Sequence, residues 1–278
     1  MNNQNKVCKA YYNLEFLGSR EARVIRLLAE YLEPLRRLKK YNIINTIVFF
    51  GSARILPPGE ARKNMKIIKD KLKNLKPSDF KRKKKLLEQL EIAKQNLKNS
   101  KYYSDTEKLA YLLTKWSKSL KNKNSFVVCS GGGPGIMEAA NKGARKAKGL
   151  SMGFNISLPF EQQSNRFITP ELNFEFHYFF MRKFWFAYMA KALVIMPGGF
   201  GTLDELMEIL TLVQTNKLRK KITIVLYDKK FWDQIIDFNA LYKNQMISKR
   251  DLNLIKFFDT PEDAFNYLKK CLTKNYIN

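Results

Sequence analysis

Three short stretches place glycine or other small residues at the end of an apolar run. They are Gly51-Ser52 after IINTIVFF (43–50), Ser130-Gly131-Gly132-Gly133-Pro134-Gly135 after SFVVC (125–129), and Pro197-Gly198-Gly199-Phe200-Gly201-Thr202 after ALVIM (192–196). Glycine lets a backbone approach an anion closely, and a helix that follows such a loop aims its free N–H groups and dipole at the same point. A phosphate is therefore the expected ligand. Neither long loop fits the common nucleotide patterns: GxGxxG begun at Gly131 would need glycine where Ile136 stands, and GxxxxGK[ST] occurs in neither. An ordinary dinucleotide enzyme and a nucleoside triphosphatase are both disfavoured.

The inventory of reactive side chains narrows the chemistry further. His177 is the sole histidine, so multi-histidine metal sites cannot be built, and its place in an apolar stretch reads as a core or strand residue rather than a catalyst. Cys8, Cys129 and Cys271 are widely spaced, form no CxxC pair and fit a reducing cytoplasm better than a disulfide framework. No metal or cofactor is expected. Chemistry must rest on carboxylates, Arg, Lys and backbone dipoles, and Glu138, Arg182, Lys183, Asp204 and Glu205 flank the loops in sequence.

The elements that must position these groups read as an alternating chain. Val24, Leu27, Leu28, Tyr31, Leu32 and Leu35 recur at helical spacing in an amphipathic helix over 20–40. After the first apolar run come strands at 125–129, 151–158, near 174–179, 192–196, 222–227 and 255–258, with helices between them at about 106–123, 136–147, 181–189, 202–218 and 261–272. Such alternation implies an α/β fold with a mostly parallel sheet and helices on both faces, doubly wound, its ligand crevice at the carboxyl ends of the strands. The whole of 1–278 is expected to form one domain.

One segment departs from that rhythm. Residues 62–101 carry 15 Lys or Arg against 4 Asp or Glu, including the run Lys81 to Lys85. Leucines suggest two helices broken around Lys76-Pro77-Ser78-Asp79, with Ser78 or Asp79 as N-cap, giving a basic helical-hairpin insertion over about 58–101. A basic arm for RNA or a membrane surface competes with a solvated hairpin packed on the core or on a subunit neighbour, and the second reading is preferred because no aromatic-interleaved RNA motif is present. The whole chain is also basic, with 51 Lys plus Arg, 25 Asp plus Glu and a net charge of +26, and its scattered Lys, Asn and Ile suit an AT-rich genome. No apolar run approaches the ~20 residues of a membrane helix and the N-terminus lacks a signal-peptide core, so a cytoplasmic protein with no membrane partner is expected.

The stretch MRKFWFAYMAKALVIMPGGFGTLDELMEILT (181–211) resembles the LOG ("Lonely guy") family of nucleoside 5′-monophosphate phosphoribohydrolases. Arg182-Lys183 and Pro197 to Glu205 match its paired Arg-Lys and PGGxGTxxE signature. GGGPGIMEAANKGA (131–144) and FGSAR, with Gly51 and Ser52, match its two earlier loops. The resemblance implies a Rossmann-like fold, a homodimer or higher homo-oligomer, and hydrolysis of the N-glycosidic bond of AMP or an N6-substituted AMP such as a cytokinin nucleotide. It implies no cofactor. Carried over by motif, Gly199, Phe200, Gly201 and Thr202 surround the phosphate, Gly198 and Asp204 are further substrate-binding positions of the same motif, and Gly132, Gly133 and Glu138 belong to the second loop. Arg182 and Glu205 are the catalytic pair, Lys183 and Thr211 contact substrate, and Glu161 stands near the base.

Residue chemistry supports the same pair. Departure of the base leaves positive charge on the ribose ring, which a carboxylate below it stabilises while orienting water; Glu205 fits that role and Arg182 can hold phosphate or ribose oxygens. Each group also has a quieter explanation: Glu205 as a first-turn acid on its own helix dipole, Arg182 as an ion-pair partner, Thr202 as an N-cap. Phe180 occupies the place of a histidine found in short family members, and FHYFFMRKFWF is closer to a longer bacterial-type branch, which argues against a plant-like cytokinin preference. The competing function is a non-catalytic nucleotide-binding module whose basic arm contacts RNA. A pyridoxal-dependent decarboxylase finds no Schiff-base lysine context.

Overall fold

The computed structural model describes residues 7–76, 79–120, 126–157 and 163–277. Glu161, Pro77, Ser78 and Ser125, all singled out above, lie outside the described residues. A 3-10 turn and a short helix α1 (Leu14–Gly18) lead into α2 (Arg23–Lys40), then β1 (Thr46–Phe50), α3 (Pro58–Lys73) and α4 (Phe80–Ser119). Next come β2 (Val127–Ser130), α5 (Ile136–Lys146), β3 (Ser151–Ile156), β4 (Asn173–Phe176), α6 (Phe179–Met189), β5 (Ala190–Ile195) and α7 (Phe200–Gln214). The chain closes with β6 (Thr223–Tyr227), α8 (Lys229–Asp233), α9 (Phe238–Lys243), α10 (Lys249–Leu252), β7 (Ile255–Phe258) and α11 (Pro261–Tyr276).

The seven strands form one sheet in the order β4-β3-β2-β1-β5-β6-β7, and every neighbouring pair is parallel. This is an all-parallel α/β sheet of Rossmann-like type. Alternate residues of β1 serve opposite faces: Val48 and Phe50 join Trp185, Phe186, Leu206 and Ile209 of α6 and α7, whereas Ile47 and Phe49 join Leu109, Ala140 and Leu268 of α4, α5 and α11. Helices therefore cover both sides, and β1 is buried at all five positions, as its unbroken apolar run requires. From β1 the chain winds outward through β2, β3 and β4, then returns to β1's other flank to continue through β5, β6 and β7. The carboxyl ends of β1, β2 and β5 are thus a topological switch point.

Two expectations need correction. The insertion's second helix and the expected helix at 106–123 are one 40-residue helix, α4. No glycine or proline interrupts 80–119, and the buried side changes along it: Leu86 and Ala93 meet α3, whereas Tyr103, Leu109, Ala110 and Leu113 meet the sheet side. His177 is neither in the core nor in a strand; it lies exposed just past β4, where its N–H donates to Glu30 Oε1 at 2.7 Å. Among the described residues no helix is long and apolar enough to cross a membrane.

Candidate active site

The first step in building the site is the knotting of three loops by main-chain hydrogen bonds. Ser52 N–H donates to Pro197 O (3.1 Å), Ile136 N–H donates to Ser52 O (3.1 Å), and Met196 N–H donates to Phe50 O (2.8 Å). Gly51-Ser52 is consequently clamped between the other two loops at the switch point. Gly135 begins α5 at φ +69°, and a Cβ there would stand 2.5 Å from Ser52 O, so only glycine permits this junction.

The second loop is held from below by amide side chains that the sequence reading did not single out. Ser130 Oγ donates to Asn141 Oδ1 (2.6 Å) and accepts from Gly132 N–H (3.1 Å). Asn165 Nδ2 donates to Gly132 O, Gly133 O and Asn141 Oδ1 at 2.9–3.1 Å. Asn141 donates in turn to Ser151 Oγ and Met152 O. Asn141 had a signal, being a poor helix former in mid-helix that is worth keeping only if its amide is used. Asn165 sits in an irregular stretch whose sequence gives no sign of its role.

Arg182 rises from α6 over this loop. Its Nε donates to Phe154 O of β3 (2.7 Å), and a Cβ on Gly131 would stand 2.6 Å from its Nη2. Glycine at 131 therefore makes room for a guanidinium. Burial lowers the Arg182 pKa, opposed by the charges of Glu205 and Cys129.

Glu205 lies on the inward side of α7 with Thr202, Leu206 and Ile209, and only 6% of its surface is exposed. Among the described residues it accepts no hydrogen bond and forms no ion pair. Burial pushes its carboxyl up to about 7, against the pull of Arg182 and Lys183. A buried acid whose proton is shared near neutrality, beside a permanent cation, is how a catalytic carboxyl is commonly tuned.

The phosphate-loop candidates divide. Thr202 and Leu203 N–H both donate to Gly199 O, while the Phe200 and Gly201 N–H groups at the start of α7 have no acceptor among the described residues. A Cβ on Gly199 or Gly201 would meet nothing within 4 Å, so internal packing does not demand glycine there and open space lies above. Gly198 is different, because its Cβ would collide with Thr202 Oγ1 at 2.1 Å. Phe200 is 91% exposed beside this opening.

Four other candidates have partners of their own. Lys183 bridges Asp204 and Glu208, both at 2.8 Å, so it and Asp204 neutralise each other beside the opening. Burial alone would lower the Lys183 ammonium, but those hydrogen bonds and the Glu205 charge raise it. Glu138 accepts from the buried Tyr103 hydroxyl of α4 (2.6 Å). Thr211 is exposed two turns beyond Glu205 on the face shared with Asp204 and Glu208, its hydroxyl donating to Met207 O. The structure thus brings together Gly51, Ser52, Gly132, Gly133, Arg182, Gly198 to Thr202 and Glu205, and leaves Thr211 outside that cluster.

Residues 137–268 match the family model described as possible lysine decarboxylase, a label also carried by LOG proteins. The match spans Arg182-Lys183, the Gly198 loop and Glu205. Over this segment the chain is similar to that family. No curated protein matches it in sequence. Among solved structures, the molybdenum cofactor binding protein of Rippkaea orientalis is similar at 21% identity and TM-score 0.43, covering 61% of this chain and 89% of that one. The molybdenum cofactor carrier protein of Chlamydomonas reinhardtii gives 18% and 0.43, with 62% and 89% covered. The structural-genomics target TM1055 gives 18% and 0.46, with 81% and 99% covered.

Proposed function

We propose that the protein hydrolyses the N-glycosidic bond of a purine nucleoside 5′-monophosphate, AMP or an N6-substituted AMP, to free base and ribose 5-phosphate. The observation that carries this reading is Glu205: buried, without a hydrogen-bond partner among the described residues, poised near neutrality and beside Arg182 at the switch point. A structural glutamate would be expected to have a partner.

The free N–H groups of Phe200 and Gly201 and the dipole of α7 hold the phosphate. Glu205 lies five residues further along α7, about 7 Å by helical rise, which sets its carboxylate under the ribose of a nucleotide anchored there. As the C1′–N bond breaks, its electron pair leaves with the base, which takes up a proton. Glu205 stabilises the resulting positive ring and accepts the proton of the water that attacks C1′. Arg182, held by Phe154 O, positions ribose or phosphate oxygens. The oligomer proposed with this activity has a surface available: Val24, Leu28 and Leu32 of α2 and Phe180, Phe184 and Tyr188 of α6 are all exposed apolar residues.

Incubation with AMP, GMP, CMP and N6-prenylated AMP, followed by chromatography for free base, tests the reading. A purine nucleotide should release base and ribose 5-phosphate in equal amounts, with Glu205→Gln and Arg182→Ala each slowing turnover at least 100-fold while remaining folded. Binding without release of base would instead support the non-catalytic module.

A further inference from the structure

The basic hairpin has a pattern that composition alone does not show. Ala61, Met65, Ile68 and Leu72 of α3 and Leu86, Leu90, Ala93, Leu97 and Ser100 of α4 are among its buried or half-buried positions and recur alternately at four and three residues. This is the seam of an antiparallel helix pair. Asn64 and Ile67 of α3 and Gln89, Ile92 and Asn96 of α4, each one residue before a seam position, line a shared hollow of about 300 Å³ on one side of the pair. Residues one step after the seam therefore share the opposite side. On α3 these are Arg62, Lys66, Lys69 and Lys73, with Lys76 just past the helix end; on α4 they are Leu87, Glu91, Lys94, Lys98 and Lys101.

The charge on that side is a ladder with little to balance it. Arg62, Lys66, Lys69 and Lys73 are exposed and form no ion pair among the described residues, whereas Lys94 pairs with Glu91 and Lys101 with Asp228. The α3 row is about 16 Å long at 1.5 Å per residue, and the second row runs about 8–10 Å away. We infer that this face of the hairpin is a docking surface for double-helical nucleic acid, gripped through its phosphates and without regard to sequence. The unpaired α3 row, with Lys98 of α4 beside it, suits a regular array of phosphates. A single strand would need a row of exposed aromatic rings to stack its bases, and the pair offers a single one, Phe80 at its tip. A membrane surface would need a broad apolar stripe to insert, and most of the hairpin's apolar residues serve its own seam, leaving only Leu87 and, at the tip, Phe80 exposed on this side. The surface is built independently of Glu205 and the glycine loops, so it stands whether or not the chain is a hydrolase.

Fluorescence anisotropy of the full chain with a labelled 24-base-pair DNA duplex and the corresponding RNA duplex, from 50 to 300 mM KCl, tests this. Both duplexes should bind with similar affinity, and binding should weaken steeply with salt. Lys66→Glu/Lys69→Glu/Lys73→Glu should lose at least tenfold in affinity and lower the salt slope by ~3, as loss of three phosphate contacts requires. A variant with three remote exposed lysines reversed, Lys243→Glu/Lys270→Glu/Lys274→Glu, undergoes the same change in net charge and should lose less than twofold. Circular dichroism checks that both remain folded. Equal losses in the two variants would show diffuse charge and overturn the inference, as would absence of duplex binding at 100 mM KCl. Preferential binding to phosphatidylcholine–phosphatidylserine vesicles, lost in the hairpin variant, would replace it with a membrane-facing surface.

Discussion

Glu205 carries two burdens that can be separated by measurement. Its folded pKa, about 7, lies above the ordinary 4.5, so the folded protein holds a proton that the unfolded chain releases. Stability from this group is therefore complete below about pH 4.5 and is lost as pH rises to about 7, a contribution on the order of 3 kcal/mol. Denaturant titrations at pH 5 and pH 8 should show the wild type losing stability over that interval, with the loss reduced by roughly that amount in Glu205→Gln. The same ionisation should appear in kinetics, with kcat/KM for a nucleotide rising through pH 7 and then levelling, since the carboxylate is the working form. Glu205 was legible in the sequence because it falls three residues after Thr202 in the motif. Its isolation from hydrogen-bond partners was not, because that depends on Lys183 being drawn to Asp204 and Glu208 instead.

At the scale of elements, the glycine loops are only as rigid as the groups beneath them. Asn165 spends one amide on Gly132 O, Gly133 O and Asn141 Oδ1, and replacing it with alanine strands buried acceptors. Asn165→Ala should cost about 1–3 kcal/mol in a denaturant titration and raise KM for the nucleotide more than it lowers kcat, because it loosens a loop rather than removing a reacting group. The strands, the glycine loops and most helices could be read from periodicity, since each buried face is formed by residues close in sequence. The continuity of α4 could not. Its two halves bury different sides against different partners, so an apolar pattern read locally breaks where the helix itself does not. Three tyrosine–carboxylate bonds then tie its second half to the body: Tyr102 to Asp228, Tyr103 to Glu138 and Tyr227 to Asp105. Pairs separated by 35 to 126 residues leave no local trace.

Across the whole molecule, the proposed catalytic groups and the bulk of the unpaired basic charge on α3 occupy different places. The crevice gathers Arg182 and Glu205 where β1, β2 and β5 end, while the unpaired cations of α3 stand on a hairpin outside the sheet layers. A net charge of +26 gave no hint of that division, because charge totals do not record which side of a helix pair holds each lysine. Doubly wound topology explains the crevice: the chain leaves β1 toward β2 and leaves the adjacent β5 toward β6, so the loops after β1 and β5 diverge around a gap. The most direct test of what fills that gap is a crystal structure of Glu205→Gln soaked with AMP. The phosphate oxygens should lie within hydrogen-bond distance of the Phe200 and Gly201 N–H groups, with C1′ facing the side chain at 205. A nucleotide seated away from the start of α7, or bound there with its ribose turned from residue 205, would contradict the account.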